Sequence, residues 1–539
     1  MKKFKKMTLL VLVFAMVLLT ITACGPKETA VTLDMGETGD IKGEIKYPIN
    51  TDKELSWWMP LNGNVAAVAP SLNETPLAEE LEKRTGIKVN FVHPTRGQES
   101  ENFSLLMASG NTHDITTSSW FSYGPDLAVQ QGQIIALNDV MEDYAPNLYK
   151  IINESEDLQK MLKTDSGTYY AFPHIKDDAS MGRTFKGLML RQDWLEELGL
   201  EVPETIDEWE TVLKAFKEKK GAKAPLTLAS TTDMLISRLF IGAYDLDYNY
   251  YVEDGKMVYG PVYNREGFRE FLTRMNKWYN EGLLDKNIAT NDKAMVDSNM
   301  LNDDAGATYG FASSGMSVYL DAKKDDPNFK LVAAKFPVLK KGDICEFGFV
   351  DSKYHTGNSA AAIGAKSVNK ALAMRLLDYL YTEEGHIFAN CGIEGVTYEK
   401  VNGEIKPTDF VLNNPEGKTV SQLMSLYSFG TYEAPRMSND SAFMSRIKYP
   451  EVVEATKTWA ISNQKDHERP AITMTTAENE EFRALDGEIY TYVNQMVTKF
   501  IVGIEPLSKF DDFIAELEKR GAERCAEILD TAMQRYNAR

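Results

Sequence analysis

Short apolar segments and amphipathic helical segments alternate along this chain from residue 55 onward. Residues 55–60 (LSWWMP) are an apolar run between polar residues, which predicts a buried strand. Thr75 supplies an N-cap and Pro76 a first-turn proline for a helix that ends at Gly86. Residues 87–92 then alternate apolar and polar side chains, as a strand does. Because strand, helix, strand is the order of a parallel sheet with helices on its faces, the sequence predicts an α/β fold.

The length of the chain predicts more than one lobe. The chain has 539 residues, whereas single hydrophobic cores stop growing at about 250–300 residues. Thr205 and Glu208 form a capping box for a helix in the middle of the chain, with Trp209 on its buried face. Residues 508–521 and 523–536 predict two further helices, which give the fold an extended carboxy-terminal helical region.

The amino terminus has the pattern of an export signal. Four lysines within the first six residues precede an apolar run over residues 7–19, which is shorter than the about 20 residues that a membrane-spanning helix needs. Residues 21–24 (ITAC) resemble the bacterial lipobox, which implies a signal peptide over residues 1–23 and a lipid on Cys24. The alternative is a secreted protein with an incidental cysteine. Residues 24–52 lack apolar periodicity and predict a flexible tether.

Charge and cysteine content exclude several kinds of partner. The formal net charge is -20 and no basic patch dominates, so we expect no nucleic-acid partner. Cys345, Cys391 and Cys525 lack metal-site spacing and are odd in number, so we expect three buried thiols and neither a zinc site nor a disulfide framework.

One acidic loop resembles a calcium site, although we expect no cofactor. Asp245, Asp247 and Asn249, followed by Glu253, have the alternating oxygen ligands of a calcium loop. Lys256 stands where the bidentate glutamate of such a loop belongs. A solvated acidic loop is therefore the expectation, with bound calcium as the alternative.

Several segments, in this order behind a lipobox, resemble one protein family over nearly the whole mature chain. They are residues 77–92, 132–139 (GQIIALND), 167–173, 188–200 (LMLRQDWLEELGL), 281–284 (EGLL), 392–398 (GIEGVTY) and 500–536. The chain resembles the extracellular solute-binding proteins of ABC importers, in particular the large lipoprotein branch that serves oligosaccharide uptake.

This resemblance implies a two-lobe, periplasmic-binding-protein-like fold of type II, with a hinge and a ligand cleft between the lobes. It places lobe 1 at residues 53–171 with 358–393, and lobe 2 at residues 172–357 with 394–539. It further implies a monomer that is held at the outer face of the membrane by its lipid, binds an oligosaccharide and delivers it to a separate ABC permease.

Sugar binding requires flat apolar platforms and planar polar side chains, because unpaired buried hydroxyls cost about 1–3 kcal/mol. Trp120, in the loop after the third strand, is the first platform candidate. Trp58 and the tryptophan before it point to opposite faces of their strand, and Trp58 is the one assigned to the cleft. Asn62 follows that strand as a hydroxyl ligand or a turn former. Tyr170 and Phe172 lie at the first crossover that the resemblance implies.

In lobe 2, Phe311 and Ser313 match a cleft-lining loop of the family, but the tryptophan usual there is absent. Phe311 or Tyr319 is therefore the expected substitute platform.

Four polar or aromatic residues complete the candidate ligand contacts. Tyr354, His355 and Glu394 lie beside the later crossovers, and Glu394 has backbone capping as its alternative role. Arg183 is a candidate clamp for a carboxylate, whereas Arg191 is expected to pair with a nearby acidic side chain.

Two other functions remain open from the sequence. One is a secreted glycoside hydrolase or lyase, which needs two carboxylates flanking one bond. No GxSxG or HExxH motif supports an enzyme. The other is a receptor for a peptide or another non-sugar solute.

Cys24→Ser should release the protein into the culture medium, because the lipid on that sulfur is the predicted anchor. The measurement is an immunoblot of membrane and medium fractions beside the unchanged chain. Retention of the variant at the membrane would contradict the lipobox interpretation.

Overall fold

The computed structural model describes residues 33–37, 41–177, 181–351, 354–355, 360–429 and 434–539. The predicted signal peptide and Cys24 lie outside the described residues. The described chain forms two lobes, each with its own four-stranded sheet and its own hydrophobic core. The predicted two-lobe α/β fold is confirmed.

Strands are numbered in chain order. In the part of the chain that the structure describes, they are β1 Glu54–Trp58, β2 Lys88–Val92, β3 Ile115–Ser118, β4 His174–Lys176, β5 Lys186–Arg191, β6 Leu226–Thr227, β7 Tyr250–Glu253, β8 Lys256–Tyr259, β9 Ala307–Phe311, β10 Leu331–Ala333, β11 Tyr354–His355, β12 Ala360–Ile363, β13 Tyr398–Val401, β14 Glu404–Pro407 and β15 Arg436–Ser438.

The strands form one sheet in each lobe and one between the lobes. In lobe 1 the order is β12, β3, β1, β2, with β1 parallel to both neighbours and β12 antiparallel to β3. In lobe 2 the order is β10, β5, β9, β6, with β9 parallel to β6 and antiparallel to β5. The third sheet, β11, β4, β15, consists of the segments by which the chain passes between the lobes. Two hairpins, β7 with β8 and β13 with β14, lie outside these sheets.

Helices cover both lobes, and those of the carboxy terminus belong to lobe 2. In lobe 1 they span Gly63–Ala66, Pro76–Thr85, Glu99–Ser109, Trp120–Tyr123, Pro125–Gln130, Met141–Tyr144, Pro146–Asn153, Glu156–Leu162, Lys370–Tyr379, Glu383–Cys391, Asp409–Leu412 and Val420–Ser425. In lobe 2 they span Gln192–Leu198, Ile206–Lys219, Thr231–Ile236, Gly260–Tyr263, Arg265–Asn280, Lys293–Leu301, Ser317–Ala322, Asp440–Met444, Pro450–Trp459, Thr476–Val502, Phe510–Lys519 and Ala522–Asn537. Among the described residues, no helix is both long enough and apolar enough to span a bilayer.

Local sequence signals place several of these elements. The capping box is present, because Thr205 Oγ1 accepts the Glu208 N–H while the Glu208 carboxylate accepts the Thr205 N–H. Trp209 is fully buried, as predicted. Gly86 ends its helix in the left-handed conformation, with φ 74°. A β-carbon there would lie 2.0 Å from the Ile49 carbonyl oxygen, so this close approach also requires glycine.

The predicted tether is partly docked on lobe 1. Met35 is buried in the lobe 1 core, and the Tyr47 ring packs on Tyr379 with centroids 4.9 Å apart. The guanidinium of the buried Arg375 donates to the carbonyls of Ile41 and Gly43 at 2.7 and 2.6 Å. The apolar residues of this stretch are too sparse to show a period, which is why its sequence resembles a flexible segment.

The last passage between the lobes lies later in the chain than expected. Residues 394–429 were assigned to lobe 2, yet Phe429 belongs to the lobe 1 core and the Leu77 N–H donates to the Leu426 carbonyl at 2.9 Å. The chain leaves lobe 1 at β15. Helix Val420–Ser425 contacts both helix Gly63–Ala66 of lobe 1 and the π-helical turn Ala312–Met316 of lobe 2, so this segment bridges the two lobes.

The carboxy terminus of lobe 2 is clamped to lobe 1 through Asp165. Arg535 Nε lies 2.6 Å from one oxygen of this carboxylate, and Arg539 donates to the other. The Asp165 N–H also donates to Thr473 Oγ1 at 3.1 Å. Burial alone would raise the pKa of Asp165, but the hydrogen bonds from the two arginines outweigh it and hold the pKa below its usual value.

Asp165→Asn should lower the free energy of unfolding by about 1–3 kcal/mol, because three charge-assisted hydrogen bonds lose their acceptor charge. In the wild-type protein, the stability that the ionised Asp165 contributes is complete above the unfolded-state pKa of about 3.9. It is lost as the pH falls through the lower pKa of the folded state. Urea unfolding measures both effects. The exposed pair of Asp512 with Lys509 is the control, and Asp512→Asn should change stability by less than about 0.5 kcal/mol. Equal effects of the two variants would contradict the clamp.

Candidate ligand-binding cleft

A cavity of about 420 Å³ opens where β1 and β3 end. Trp58 of β1 lies in register with Thr116 of β3, so the residues that follow the two strands are neighbours. Trp58 and Asn62 consequently line the same cavity as Thr117 and Ser119. The structure thus places two of the candidate ligand contacts, Trp58 and Asn62, beside side chains that carry hydroxyl groups.

The two adjacent tryptophans of β1 lie on opposite faces of the sheet. Trp57 is fully buried in the lobe 1 core and donates its indole N–H to Thr117 Oγ1 at 2.9 Å. Trp58 keeps 5% of its surface exposed, lines the cavity with that part of its ring and packs on Phe103, with ring centroids 5.9 Å apart. This is the alternation that a strand requires.

The polar groups around this cavity are held in place by their own hydrogen bonds. Asn62 Oδ1 accepts the Asn64 N–H at 2.8 Å and caps the helix that follows. The Tyr123 hydroxyl donates to Gln131 Oε1 at 2.9 Å, and it accepts from the side-chain amide of Gln133 at 2.9 Å. Glu99 accepts the backbone N–H of Gly97 at 3.0 Å, which lowers its pKa. These groups therefore present fixed orientations to a ligand.

Lobe 2 reaches this cavity through its carboxy-terminal region. Arg483, on the long helix Thr476–Val502, contributes to the cavity wall opposite the residues of lobe 1. The cavity is therefore an interlobe site, and its shape depends on how far the lobes are closed.

A second cavity, of about 240 Å³, lies between the crossing sheet and lobe 2. Lys176 of β4 and Arg436 of β15 line it, and Arg446 lies on the adjoining wall. Phe311, at the end of β9, and Ser313, in the turn that follows, line it from lobe 2. This is the loop for which the resemblance implies a cleft-lining role.

Four rings form what we call the lobe 2 aromatic cluster: Phe185, Tyr309, Phe311 and Phe349. Phe185 stacks on Phe311 with centroids 5.8 Å apart and an interplanar angle of 17°. Phe349 meets Phe185 edge to face at 5.3 Å. Phe311 keeps 42% of its surface exposed, whereas Tyr319 is buried with its hydroxyl donating to Asp297 at 2.7 Å. Of the two expected substitutes for tryptophan, only Phe311 presents a ring to the cleft.

Trp120 does not present a platform, contrary to the expectation. Its side chain is fully buried and donates its indole N–H to the Ala360 carbonyl at 2.9 Å. Phe103 meets it edge to face at 5.3 Å, so Trp120 supports the ring on which Trp58 packs. The short helix Trp120–Tyr123 turns the side chain beneath the loop, a turn that the sequence did not reveal.

Three further candidates are also structural in this conformation. Tyr170 is buried in the cluster beneath Trp58, and Phe172 is fully buried in the lobe 1 core. Arg183 is buried, and its Nε donates to the Asp351 carbonyl at 2.9 Å while Nη2 lies 3.3 Å from Glu468. Its guanidinium is thus engaged by the protein. Arg191 pairs with Asp193 at 2.6 Å, as expected.

The last three candidates lie at the crossings or beyond them. Tyr354 and His355 form β11 beside β4, but their side chains lie outside the described residues. Glu394 is exposed, and its carboxylate lies 3.5 Å from the Tyr398 hydroxyl. Glu394 therefore has a side-chain partner in the segment that bridges the lobes.

In the acidic loop, both carboxylate oxygens of Asp247 are engaged within the protein. Asp247 pairs with Arg238 at 2.7 Å and accepts the Asn249 N–H at 3.2 Å. Across the described ranges, no group of three or more His, Cys, Asp or Glu side chains is placed to hold a metal ion. The three thiols Cys345, Cys391 and Cys525 are buried and free, as predicted.

Sequence reasoning missed the charged residues of the cleft. Lys176, Arg436 and Arg483 come from segments far apart in the chain, so no local motif unites them. Lys186 carried the one local signal, a charged residue at the start of β5, whose centre is apolar and which ends in Arg191.

Fold and cleft are those of a two-lobe solute receptor, and the family comparison agrees. Residues 69–387, more than half of the chain, match the model of the family described as "Bacterial extracellular solute-binding protein". The chain belongs to this family.

Curated relatives align over most of the chain. Lipoprotein LipO of Bacillus subtilis is 24% identical, with 86% of this chain and 89% of the relative covered. Polygalacturonan/rhamnogalacturonan-binding protein YtcQ, also of Bacillus subtilis, is 22% identical over 85% of this chain and 87% of the relative. The fructooligosaccharide ABC transporter substrate-binding protein FusA of Streptococcus pneumoniae is 26% identical over 54% of this chain and 55% of the relative.

Solved structures share the fold, which is the type II periplasmic-binding-protein-like fold expected. The alginate-binding protein AlgQ2, solved without calcium ion, has a TM-score of 0.73 at 23% identity and covers 92% of this chain and 100% of its own. The FusA EF-hand mutant in complex with fructo-nystose has a TM-score of 0.71 at 19% identity, with 90% and 100% covered.

Trp120→Phe should lower the free energy of unfolding by about 1–3 kcal/mol, because the buried Ala360 carbonyl loses its donor. Ligand affinity should stay unchanged, because the ring does not face the cleft. Urea unfolding and calorimetric titration measure the two quantities. Weaker ligand binding at an unchanged free energy of unfolding would indicate that the Trp120 ring does contact the ligand.

Proposed function

We propose that this protein captures an oligosaccharide between its lobes and delivers it to a separate ABC permease. The single observation that carries the proposal is the cavity of about 420 Å³ beside Trp58, with amide, hydroxyl and carboxylate groups around it. An indole ring supplies the flat surface for a pyranose, and the fixed polar groups pair with its hydroxyls. The names of FusA and YtcQ, which refer to fructooligosaccharide and to polygalacturonan/rhamnogalacturonan, support a carbohydrate ligand.

The location of the cavity suits a receptor that closes on its ligand. Trp58 belongs to lobe 1 and Arg483 to lobe 2, so a ligand that contacts both binds the closed state more tightly than the open one. A ligand shifts a conformational equilibrium only by such a difference in affinity. Closure is then the signal that the permease reads.

We further propose that the receptor is a monomer, anchored through a lipid on Cys24, which binds its sugar without cleaving it. The relative LipO is named a lipoprotein, which supports the anchor. Anchoring keeps the receptor at high effective concentration beside its permease. The binding proteins among the relatives support capture over hydrolysis.

A panel of oligosaccharides tests capture directly. We expect at least one to raise the melting temperature and to change tryptophan fluorescence, with the sugar recovered intact by chromatography after several hours. A response to peptides alone would contradict a carbohydrate ligand and indicate a peptide receptor. Cleavage of a glycosidic bond would contradict a binding protein and indicate an enzyme.

Trp58→Ala should weaken binding of the responding sugar at least tenfold, about 1.4 kcal/mol, because the cavity loses its flat apolar surface. Trp459→Phe is the control, at a fully buried tryptophan of lobe 2 that lines neither cavity. It should cost stability through the lost hydrogen bond to the Leu188 carbonyl while leaving affinity unchanged. Equal affinities of the two variants for the sugar would indicate that the sugar does not bind in this cavity.

A further inference from the structure

We propose that the lobe 2 side of the cleft selects an oligosaccharide that carries anionic groups, carboxylate or sulfate, and that Lys186 is the residue that binds the anion. This inference rests on the proposed function and names the ligand class. It concerns Lys186 together with the second cavity and the lobe 2 aromatic cluster.

Lys186 holds its ammonium group among aromatic rings. Its Nζ lies 4.0 Å from the centroid of Phe349, 5.6 Å from that of Phe311 and 5.7 Å from that of Tyr309. The hydrogen-bonding partner that it has among the described residues is Ser237 Oγ, at the long distance of 3.5 Å. Rings attract a cation through their faces but do not neutralise it.

The charge of Lys186 lacks a counter-ion within the described parts of the chain. Asp351 pairs with Lys176, and Arg238 pairs with Asp247. Burial lowers the pKa of Lys186 to about 8, with a further contribution from Arg238, while the more distant Asp351 and Asp233 oppose the shift. An anionic group of a ligand would supply the missing counter-ion, so its binding should strongly stabilise the charged form of Lys186.

The adjoining cavity has the same sign of charge. Lys176, Arg436 and Arg446 line it, and its described lining includes no aspartate or glutamate. Arg436 donates to the Asn390 amide oxygen at 2.9 Å and to the Ala434 carbonyl at 2.8 Å, which holds its guanidinium at the cavity wall. Lys176 Nζ lies 5.5 Å from the Phe185 ring, so lysines flank the aromatic cluster on two sides.

The two observations describe one binding surface. Phe311 lines the cavity and also borders Lys186, so a sugar ring stacked on its exposed face brings its substituents close to the ammonium group. A neutral hydroxyl would leave the lysine charge uncompensated. A carboxylate or a sulfate ester would form a charge-assisted hydrogen bond with it.

The test compares oligosaccharides that differ in charge. Calorimetric titration is run with trigalacturonate, an alginate trimer and a glucuronate-containing tetrasaccharide, with a carrageenan-derived sulfated oligosaccharide, and with neutral galactotriose and kestose. We expect an anionic probe to bind at least tenfold more tightly than every neutral one. Uronates and sulfate ester stand in separate arms, so the result also identifies which anion is bound.

The pH dependence identifies the lysine. Uronates and sulfate esters stay ionised from pH 7 to 9, whereas Lys186 loses its proton through about pH 8. Affinity for the anionic probe should therefore fall severalfold over this range, and binding at pH 8 should take up protons, measurable as a dependence of the heat on the buffer.

Lys186→Met should reduce affinity for the anionic probe at least tenfold and abolish the fall with pH. Lys186→Arg should retain the affinity and lose the pH dependence. Lys223→Met removes a lysine that is 79% exposed and pairs with Asp304 on the surface of the same lobe, and it should leave both unchanged. Since Lys186→Met removes a cation that lacks a counter-ion, the variant should melt at or above the wild-type temperature.

Each outcome decides the proposal. Tightest binding of a neutral sugar, or an unchanged anion preference in Lys186→Met, overturns the inference while leaving oligosaccharide capture intact. Absence of binding by every sugar, charged and neutral, overturns the proposed function as well.

Discussion

Among the described residues, three segments that pass between the lobes hydrogen-bond side by side as β11, β4 and β15. The side chains of β4 and β15 are tied to lobe 1 by a buried polar network. His174 shares a hydrogen bond of 2.8 Å with Ser438, whose hydroxyl donates to Asn390 at 2.8 Å, and Arg436 donates to the same amide oxygen. Because buried polar groups must keep their partners, this network fixes β4 and β15 to lobe 1. Arg436, Ser438 and Asn390 of the network also line the second cavity, so the network shapes one wall of that cavity.

The fold was predictable from the sequence wherever one segment carried the whole signal. The capping box of Thr205, the left-handed glycine at Gly86 and the alternation at Trp57 and Trp58 are local patterns, and each has the structure that its pattern indicated. The last passage between the lobes had no such pattern. Residues 394–429 have a small core of their own, and tertiary contacts such as that of Phe429 decide which lobe they join.

The site was less predictable than the fold, for a physical reason. A tryptophan in a loop is equally suited to stacking on a sugar and to filling the space beneath the loop, and only packing distinguishes the two. Trp120 fills space because Phe103 and the Ala360 carbonyl complete its surroundings, whereas Phe311 stays exposed at a strand end. The basic residues of the second cavity come from β4, β15 and the turn that follows helix Asp440–Met444, and no spacing in the sequence brings them together.

Overall charge and local charge have opposite signs in this protein, and the local one decides what the cleft attracts. The net charge of -20 favours solubility and, at physiological salt, is screened over about 8 Å. Beside the second cavity the low-dielectric surroundings weaken that screening, so a cation such as Lys186 acts on a ligand at short range. An acidic surface around a basic cleft repels an anionic sugar at every place except the one where the charge is matched. Discrimination of this kind arises from unfavourable contacts as much as from favourable ones.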